Sequence, residues 1–151
     1  QMMQCQDERL IACVSSTAGA QALWEETRRY CEERIVFKRS LSKMQVTQFK
    51  LVELLARLTA DREMVHACVR KRVRNEDATL EISMAKLLVG RTARVVADEC
   101  IQLHGGFGYM RESAAGRAFV DARLISIGGG ADEIMLGIIC KLMGILPGKK
   151  P

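Results

Sequence analysis

The chain has 151 residues, 48% hydrophobic and 27% charged, which suits one domain with its own core. No apolar run approaches the roughly 18 residues that a membrane-spanning helix needs; the longest, Ile134 to Cys140, stops at Lys141. The formal charge of +5 comes from Lys and Arg interspersed with Glu and Asp, without the aromatic-interleaved basic patch or helix-turn-helix pair that would point to nucleic acid.

Asp7, Glu8 and Arg9 interrupt the N-terminus before a signal-peptide core can form, and position 1 is Gln, which fits a fragment or a processed chain. The six cysteines, Cys5, Cys13, Cys31, Cys68, Cys100 and Cys140, form no CxxC pair and match no zinc spacing. They read as small buried hydrophobes of a reducing compartment.

Only Pro147 and Pro151 break helices, and no sustained period-2 alternation marks a strand. A first helix is expected from about Asp7 to Arg34, with Leu10, Cys13, Val14, Leu23, Trp24, Thr27 and Cys31 at helical spacing. A second spans about Met44 to Arg74, on a stripe of Leu51, Leu54, Leu55, Leu58, Val65, Cys68 and Val69. After a break near Asn75, a third runs from about Glu76 to Leu103, lined by Leu80, Met84, Leu87, Leu88, Val95 and Val96. Its small residues Ala85, Gly90, Ala93 and Ala97 would let a neighbouring helix approach closely, and Gly105 and Gly106 end it. A short helix over about Ser113 to Leu124 and a last one over about Ala131 to Leu146, stopped by Pro147, complete an all-α, antiparallel up-and-down bundle forming one domain over 1–151.

Two glycine clusters stand out. Gly105-Gly106-Phe107-Gly108 follows a helix, not a strand, so it is no dinucleotide fingerprint; by itself it reads as a helix cap and turn. Ile127-Gly128-Gly129-Gly130 leads into a helix, where it is either a flexible turn capped by Asp132 or a set of unpaired amides facing an anion.

Taken in order, the motifs say more. Gln102, Gly105, Gly106, Gly108 and Tyr109 fit Q-x-x-G-G-x-G-F/Y; Arg117, Asp121 and Arg123 fit R-x-x-x-D-x-R; Ile127, Gly130, Glu133 and Ile134 fit I-x-x-G-x-x-E-I. Upstream, Glu33, Arg34 and Phe37 fit E-R-x-x-F, with Gln45 beyond. This set resembles the C-terminal helical domain of the flavin-dependent acyl-CoA dehydrogenases, over essentially all of residues 6 to 146. The resemblance implies FAD as cofactor. Arg34 would pair with its pyrophosphate, Phe37 would pack on the nucleotide, and Gln45 belongs to the same element. Gln102, Gly105 and Gly106 would contact the adenylate part across a dimer, and Gly130 and Glu133 would lie near the cofactor.

The reaction of that family removes an α-proton from an acyl-CoA thioester with a carboxylate base while a β-hydride goes to the flavin. Many members place the base at the position of Gly129, which cannot serve. The long-chain and isovaleryl branches place a Glu at the start of the first helix in an E-R-L context, and Glu8-Arg9-Leu10 stands there in this chain. The resemblance therefore implies Glu8 as general base and Arg9 as a positioning residue. Gly128, Ala131, Lys38 and Ala114 depart from the usual Tyr, Thr or Ser, Gly and Pro. His66 reads as a surface or boundary residue, His104 sits beside the glycine turn, and neither has a second ligand at metal-binding spacing.

The family's N-terminal helical and middle β domains have no counterpart here, so the chain is expected to be the C-terminal domain of a larger enzyme and to have little activity alone. A homodimer or tetramer built through the bundle and an electron-transferring flavoprotein as acceptor are further implications, with a mitochondrial matrix or bacterial cytoplasmic location. The competing reading is a non-catalytic assembly module derived from the same family.

Overall fold

The computed structural model describes the backbone of residues 2–145 and the side chains of residues 6–145. The side chain of Cys5, the end of the last expected helix at Leu146, and Pro147 and Pro151 lie outside the described residues.

Three long helices form the body: α1 (Met2–Glu33), α2 (Gln45–Val73) and α3 (Thr79–His104). Two shorter helices, α4 (Ala114–Asp121) and α5 (Asp132–Leu142), pack against α3. α2, α3 and α4 agree with the sequence expectation to within three residues at either end, α1 begins at Met2 rather than Asp7, α5 ends at Leu142, and the antiparallel bundle is the observed architecture. Among the described residues no helix is long and apolar enough to cross a membrane.

The turns follow from local chemistry. Asn75 adopts φ 56, a left-handed conformation that Asn tolerates, and breaks α2 from α3. Asp77 accepts from the Thr79 amide (3.1 Å) and hydroxyl (2.6 Å) and so starts α3; these bonds hold its carboxyl below the usual range. Gly105, at φ 61, ends α3.

Two clusters make the core. Leu10 and Cys13 of α1 meet Val65 and Cys68 of α2 and Ala78, Ile82, Ala85 and Val89 at the start of α3. At the other end, Ala20, Leu23, Trp24 and Cys31 meet Leu51, Leu54 and Leu58, and Val96, Ala97 and Cys100. The N-terminal half of α1 thus lies beside the N-terminal half of α3, and α2 runs the opposite way. The buried indole of Trp24 donates to Leu51 O (2.9 Å) and fixes the register of α1 on α2.

Ala85, Gly90, Ala93 and Ala97 are all buried, as close helix approach requires. Val14, Leu88 and Val95, expected in the apolar stripes, are exposed instead. Leu88 and Val95 lie seven residues apart on the outer face of α3, while its packed face is built from the smaller residues.

A second difference concerns strands. Ile35–Val36 (β1) and Arg39–Ser40 (β2) pair antiparallel in a minimal hairpin. Phe37 (φ 49) and Lys38 (φ 65) form its two-residue loop, both left-handed, a geometry that usually selects Asn and Gly. Nothing in the residue types announced it. The hairpin survives because Ser40 Oγ donates to the last carbonyls of α1, Cys31 O and Glu32 O (both 2.9 Å), and Leu41 N bonds Arg34 O (2.8 Å).

Two measurements test this description. Lys38→Gly relieves the loop and should raise unfolding free energy by about 1 kcal/mol; a lower urea midpoint with an unchanged slope would contradict the strain. Burial pushes the Cys13 thiol up to about 12 and those of Cys31 and Cys100 to about 11, so neutral pH leaves them protonated and shielded. Iodoacetamide should label these three only after denaturation, and mass spectrometry showing native-state labelling would refute their burial.

Candidate functional site

Five of the residues expected to carry function line two grooves along the α1–α3 seam, Glu8 in the first and Arg34, Gln102, Gly105 and Gly106 in the second. The first is a cavity of about 600 Å³. Glu8, Ala12, Ser15, Ser16 and Gly19 recur every three to four residues and give α1 one small-residue face along it. Ala93 and Ala97 of α3, Ala118 and Ala122 of α4, and Gly128 and Gly129 complete the walls. Because the wall residues are short, the space between the helices stays open. From Glu8 at one end to Leu23 at the other the face runs roughly 22 Å at about 1.5 Å per residue.

The carboxylates near the start of α1 are sorted by their partners. Asp7 is engaged by Arg72 of α2 (Oδ1–Nε 2.8 Å). Glu8 faces the groove. Arg9 turns to the glycine loop and donates from Nε to Gly129 O (3.0 Å). Gly129 (φ 66) and Gly130 (φ 114) hold conformations that disfavour side chains, and a Cβ at Gly130 would come within 2.7 Å of Met135 Cε. Asp132, which opens α5, pairs with Arg94 (3.2 Å) and Arg91 (3.8 Å) of α3. Glu133 is exposed in the first turn of α5.

The second groove, about 410 Å³, lies where α1 and α3 end. Arg34, Gln102, Gly105 and Gly106, expected together from the motifs, all line it. Tyr30, His104 and Phe107 join them, and sequence reasoning did not assign these a role. Tyr30 stacks on His104 with ring centroids 4.3 Å apart and donates from its hydroxyl to His104 O (3.2 Å). His104 is buried, and its Nδ1 lies 2.8 Å from Cys100 O, so Nδ1–H donates to that carbonyl. This stack holds the glycine turn against the end of α1. A Cβ at Gly105 or Gly106 would meet nothing within 4 Å, so both backbones face open space. Gly108 instead packs on α3, where a Cβ would lie 2.6 Å from Ile101 O.

The donor set of this groove fits an adenylate or pyrophosphate: a guanidinium, a side-chain amide and two glycine backbones that a ligand can approach closely. Phe37 and Gln45 do not line it. Phe37 is 91% exposed at the hairpin tip, and Gln45 is exposed at the start of α2. Gly130 and Glu133 belong to the other end of the molecule. His66 is exposed on α2. Lys86, fully buried in α3 with its amine bonded to Gly130 O, was overlooked; its only sequence signal is a charge inside the apolar run Met84 to Val89.

The sequence pattern described as "Acyl-CoA dehydrogenase, C-terminal domain" matches residues 1–144. The long-chain specific acyl-CoA dehydrogenase of Sus scrofa mitochondria is 35% identical over 140 residues, which are 93% of this chain and 33% of that protein. The probable acyl-CoA dehydrogenase YdiO of Escherichia coli (strain K12) is 36% identical over 129 residues, 85% of this chain and 34% of that protein. Among solved structures, the acyl-CoA dehydrogenase of Geobacillus kaustophilus superposes with a TM-score of 0.92 at 31% identity, over 94% of this chain and 37% of that one. Butyryl-CoA dehydrogenase of Megasphaera elsdenii gives 0.91 at 26%, over 94% and 37%. The chain thus spans about a third of the length of these curated relatives. With the helical bundle, the ordered motifs and these likenesses in agreement, the chain belongs to the acyl-CoA dehydrogenase family and corresponds to its C-terminal domain.

Proposed function

We propose that the chain is the C-terminal helical domain of an FAD-dependent acyl-CoA dehydrogenase, a larger protein with N-terminal helical and middle β domains, and that Glu8 is its general base. The observation that carries this reading is the first groove. Glu8 and Gly129, the two positions at which the family resemblance allows a base, line the same apolar cavity although 121 positions separate them, and only Glu8 bears a carboxylate.

In this reading the acyl chain of a CoA thioester lies along the small-residue face of α1, with its α-carbon beside Glu8. The Glu8 carboxylate takes the α-proton. Ala12, Ser16, Gly19 and Ala93 leave room for the acyl chain and exclude water once it is bound. Bound FAD supplies the acceptor for the β-hydride. Arg34 and Gln102 hold the adenylate end, Gly105 and Gly106 allow its close approach, and Gly130 and Glu133 border the reacting end.

The two grooves serve different cofactor molecules. Glu8 in the first groove and Tyr30 in the second lie about 33 Å apart along the α1 axis, farther than an extended dinucleotide reaches. A pair of chains resolves this, each lending its adenylate groove to the other's reaction groove. Phe37, exposed at the hairpin tip, and Gln45 then meet a cofactor held mainly by the partner. Val46, Phe49 and Val52, exposed at three-residue spacing on α2, support self-association into a dimer or tetramer. An electron-transferring flavoprotein is the proposed acceptor, and the matrix of mitochondria or the bacterial cytoplasm the proposed location.

Glu8→Gln in the complete flavoenzyme should lower kcat for acyl-CoA by about 10²–10⁴ while FAD absorbance is retained. Near-normal turnover would refute the base assignment, and a complete protein that binds neither FAD nor acyl-CoA would favour the non-catalytic assembly module. Arg34→Met removes a charge-assisted contact and should weaken FAD retention by roughly 10- to 100-fold, read by fluorescence titration, with the helical circular dichroism unchanged.

A further inference from the structure

Lys86 is the largest fully buried side chain among the described residues. A buried ammonium is costly unless it is paired and hydrogen-bonded, so its surroundings show what keeps it there. Its amine donates to Gly130 O. Burial holds the amine below the usual lysine range, while Asp132 at the start of α5 favours its charge and Arg9 opposes it.

Arg9 takes the neighbouring carbonyl, Gly129 O, at 3.0 Å. Cations from two different helices therefore hold two successive carbonyls of one glycine loop. In a trans peptide the N–H points opposite to the C=O, so the same contacts fix the direction of the Gly130 and Ala131 amides. Beneath the loop sits Met135, fully buried, with its Cε against Gly130, whose φ of 114 is a conformation that side chains rarely adopt. The other face of this loop is the groove wall formed by Gly128 and Gly129, in the cavity that Glu8 lines.

We propose that Lys86 is a positioning residue: with Arg9 it clamps the Gly129 and Gly130 carbonyls, fixing the groove wall that holds the substrate's α-carbon against Glu8. Lys86 touches neither substrate nor cofactor. It acts through the loop. The proposal rests on the assignment of Glu8 as base, and it adds a residue that a match to the motifs does not reach.

The test uses Lys86→Met and Lys86→Arg. Hydrogen exchange on the chain reads the clamp without reference to catalysis. The Ile127 and Gly128 amides are bonded to Leu124 O (2.9 and 2.7 Å) and the Met135 amide to Ala131 O (3.0 Å), so all three report on the loop and its flanks. In Lys86→Met they should exchange at least about tenfold faster, while Leu54 and Leu58 in the α1–α2 core keep their protection. Lys86→Arg, which retains a cationic donor, should restore part of it.

In the complete flavoenzyme, Lys86→Met should lower kcat about tenfold or more with acyl-CoA KM changed less than about threefold, because the loop positions the reacting carbon rather than the remote parts of the substrate. The isotope effect with α-deuterated acyl-CoA should rise, a change that general destabilisation would not cause. Unchanged loop exchange overturns the clamp. A loosened loop with normal kcat and isotope effect overturns the positioning role. Arg9→Gln, at a half-buried site, gives the second variant should Lys86→Met fail to fold; it must loosen the same amides, and wild-type exchange there overturns the clamp as well. Failure of Glu8→Gln to slow turnover would remove the base reading yet leave the exchange result standing, so the two ideas fail separately.

Discussion

The close packing of α1 against α3 is the constraint on which the rest of the structure depends. Where Cys13 of α1 meets Ile82 and Ala85 of α3 and Ala78 just before it, with Cys68 of α2 alongside, the seam is fully buried and the two helices are held together as core. Further along, α1 presents Ser15, Ser16 and Gly19 and α3 presents Ala93 and Ala97. These side chains are too short to fill the space beneath α4, so the seam opens into a cavity. The same helices that make the core by filling their contact therefore make a groove by leaving one face under-filled. A large apolar residue at Ala93 or Ala97 would favour packing over that cavity, since filling a void gains contacts that the small residues forgo.

Charge placement follows from this seam. Asp7, Glu8 and Arg9 are consecutive, so the helix turns them about 100° apart and each meets a different neighbour. Asp7 reaches Arg72 on α2, Arg9 reaches the glycine loop, and Glu8 is left to the groove. One ridge of α3 then organises the opposite wall. Lys86, Gly90 and Arg94 recur every four residues and meet Gly130, Ser126 and Asp132 in turn, with a Cβ at Gly90 only 3.0 Å from Ser126 Oγ. Two cations and a glycine on one helix face thus meet the stretch from Ser126 to Asp132, and the hydrogen bond to Gly130 O and the nearby Asp132 charge act against the cost of burying Lys86.

How much of this was legible in the sequence varied with the physics involved. The helices were, because 3.6-residue periodicity, the near absence of proline and the glycines after α3 act locally. The hairpin was not, because Phe37 and Lys38 take a turn conformation normally signalled by Asn and Gly, and the bonds that enforce it come from the end of α1. Leu88 and Val95 misled because apolar type marks a packing face only when the neighbour is known. For the grooves, motif order supplied Glu8, which lines the first, and Arg34, Gln102, Gly105 and Gly106, which the fold brings together in the second. Tyr30, His104 and Phe107 were given no role because their stack joins α1 to the end of α3 across 74 positions. Lys86 escaped because a lone lysine in an apolar run reads equally as a side chain whose head reaches water.

The separation of the grooves along α1 bears on why the proposed function calls for more than one chain. A rigid helix of this length keeps its two ends at a fixed spacing, so no local adjustment brings Arg34 to a cofactor that reacts beside Glu8. Each groove has half of what the proposed chemistry needs. The first has the Glu8 carboxylate but no Lys or Arg among its lining residues, and the second has the Arg34 guanidinium and the open glycines but no carboxylate. Two copies related by a twofold axis would supply both halves twice, since a contact from the second groove of one to the first groove of the other is then repeated in reverse. In that arrangement the exposure of Phe37, at odds with a residue meant to pack on a nucleotide in a single chain, is what a contact made across the pair requires.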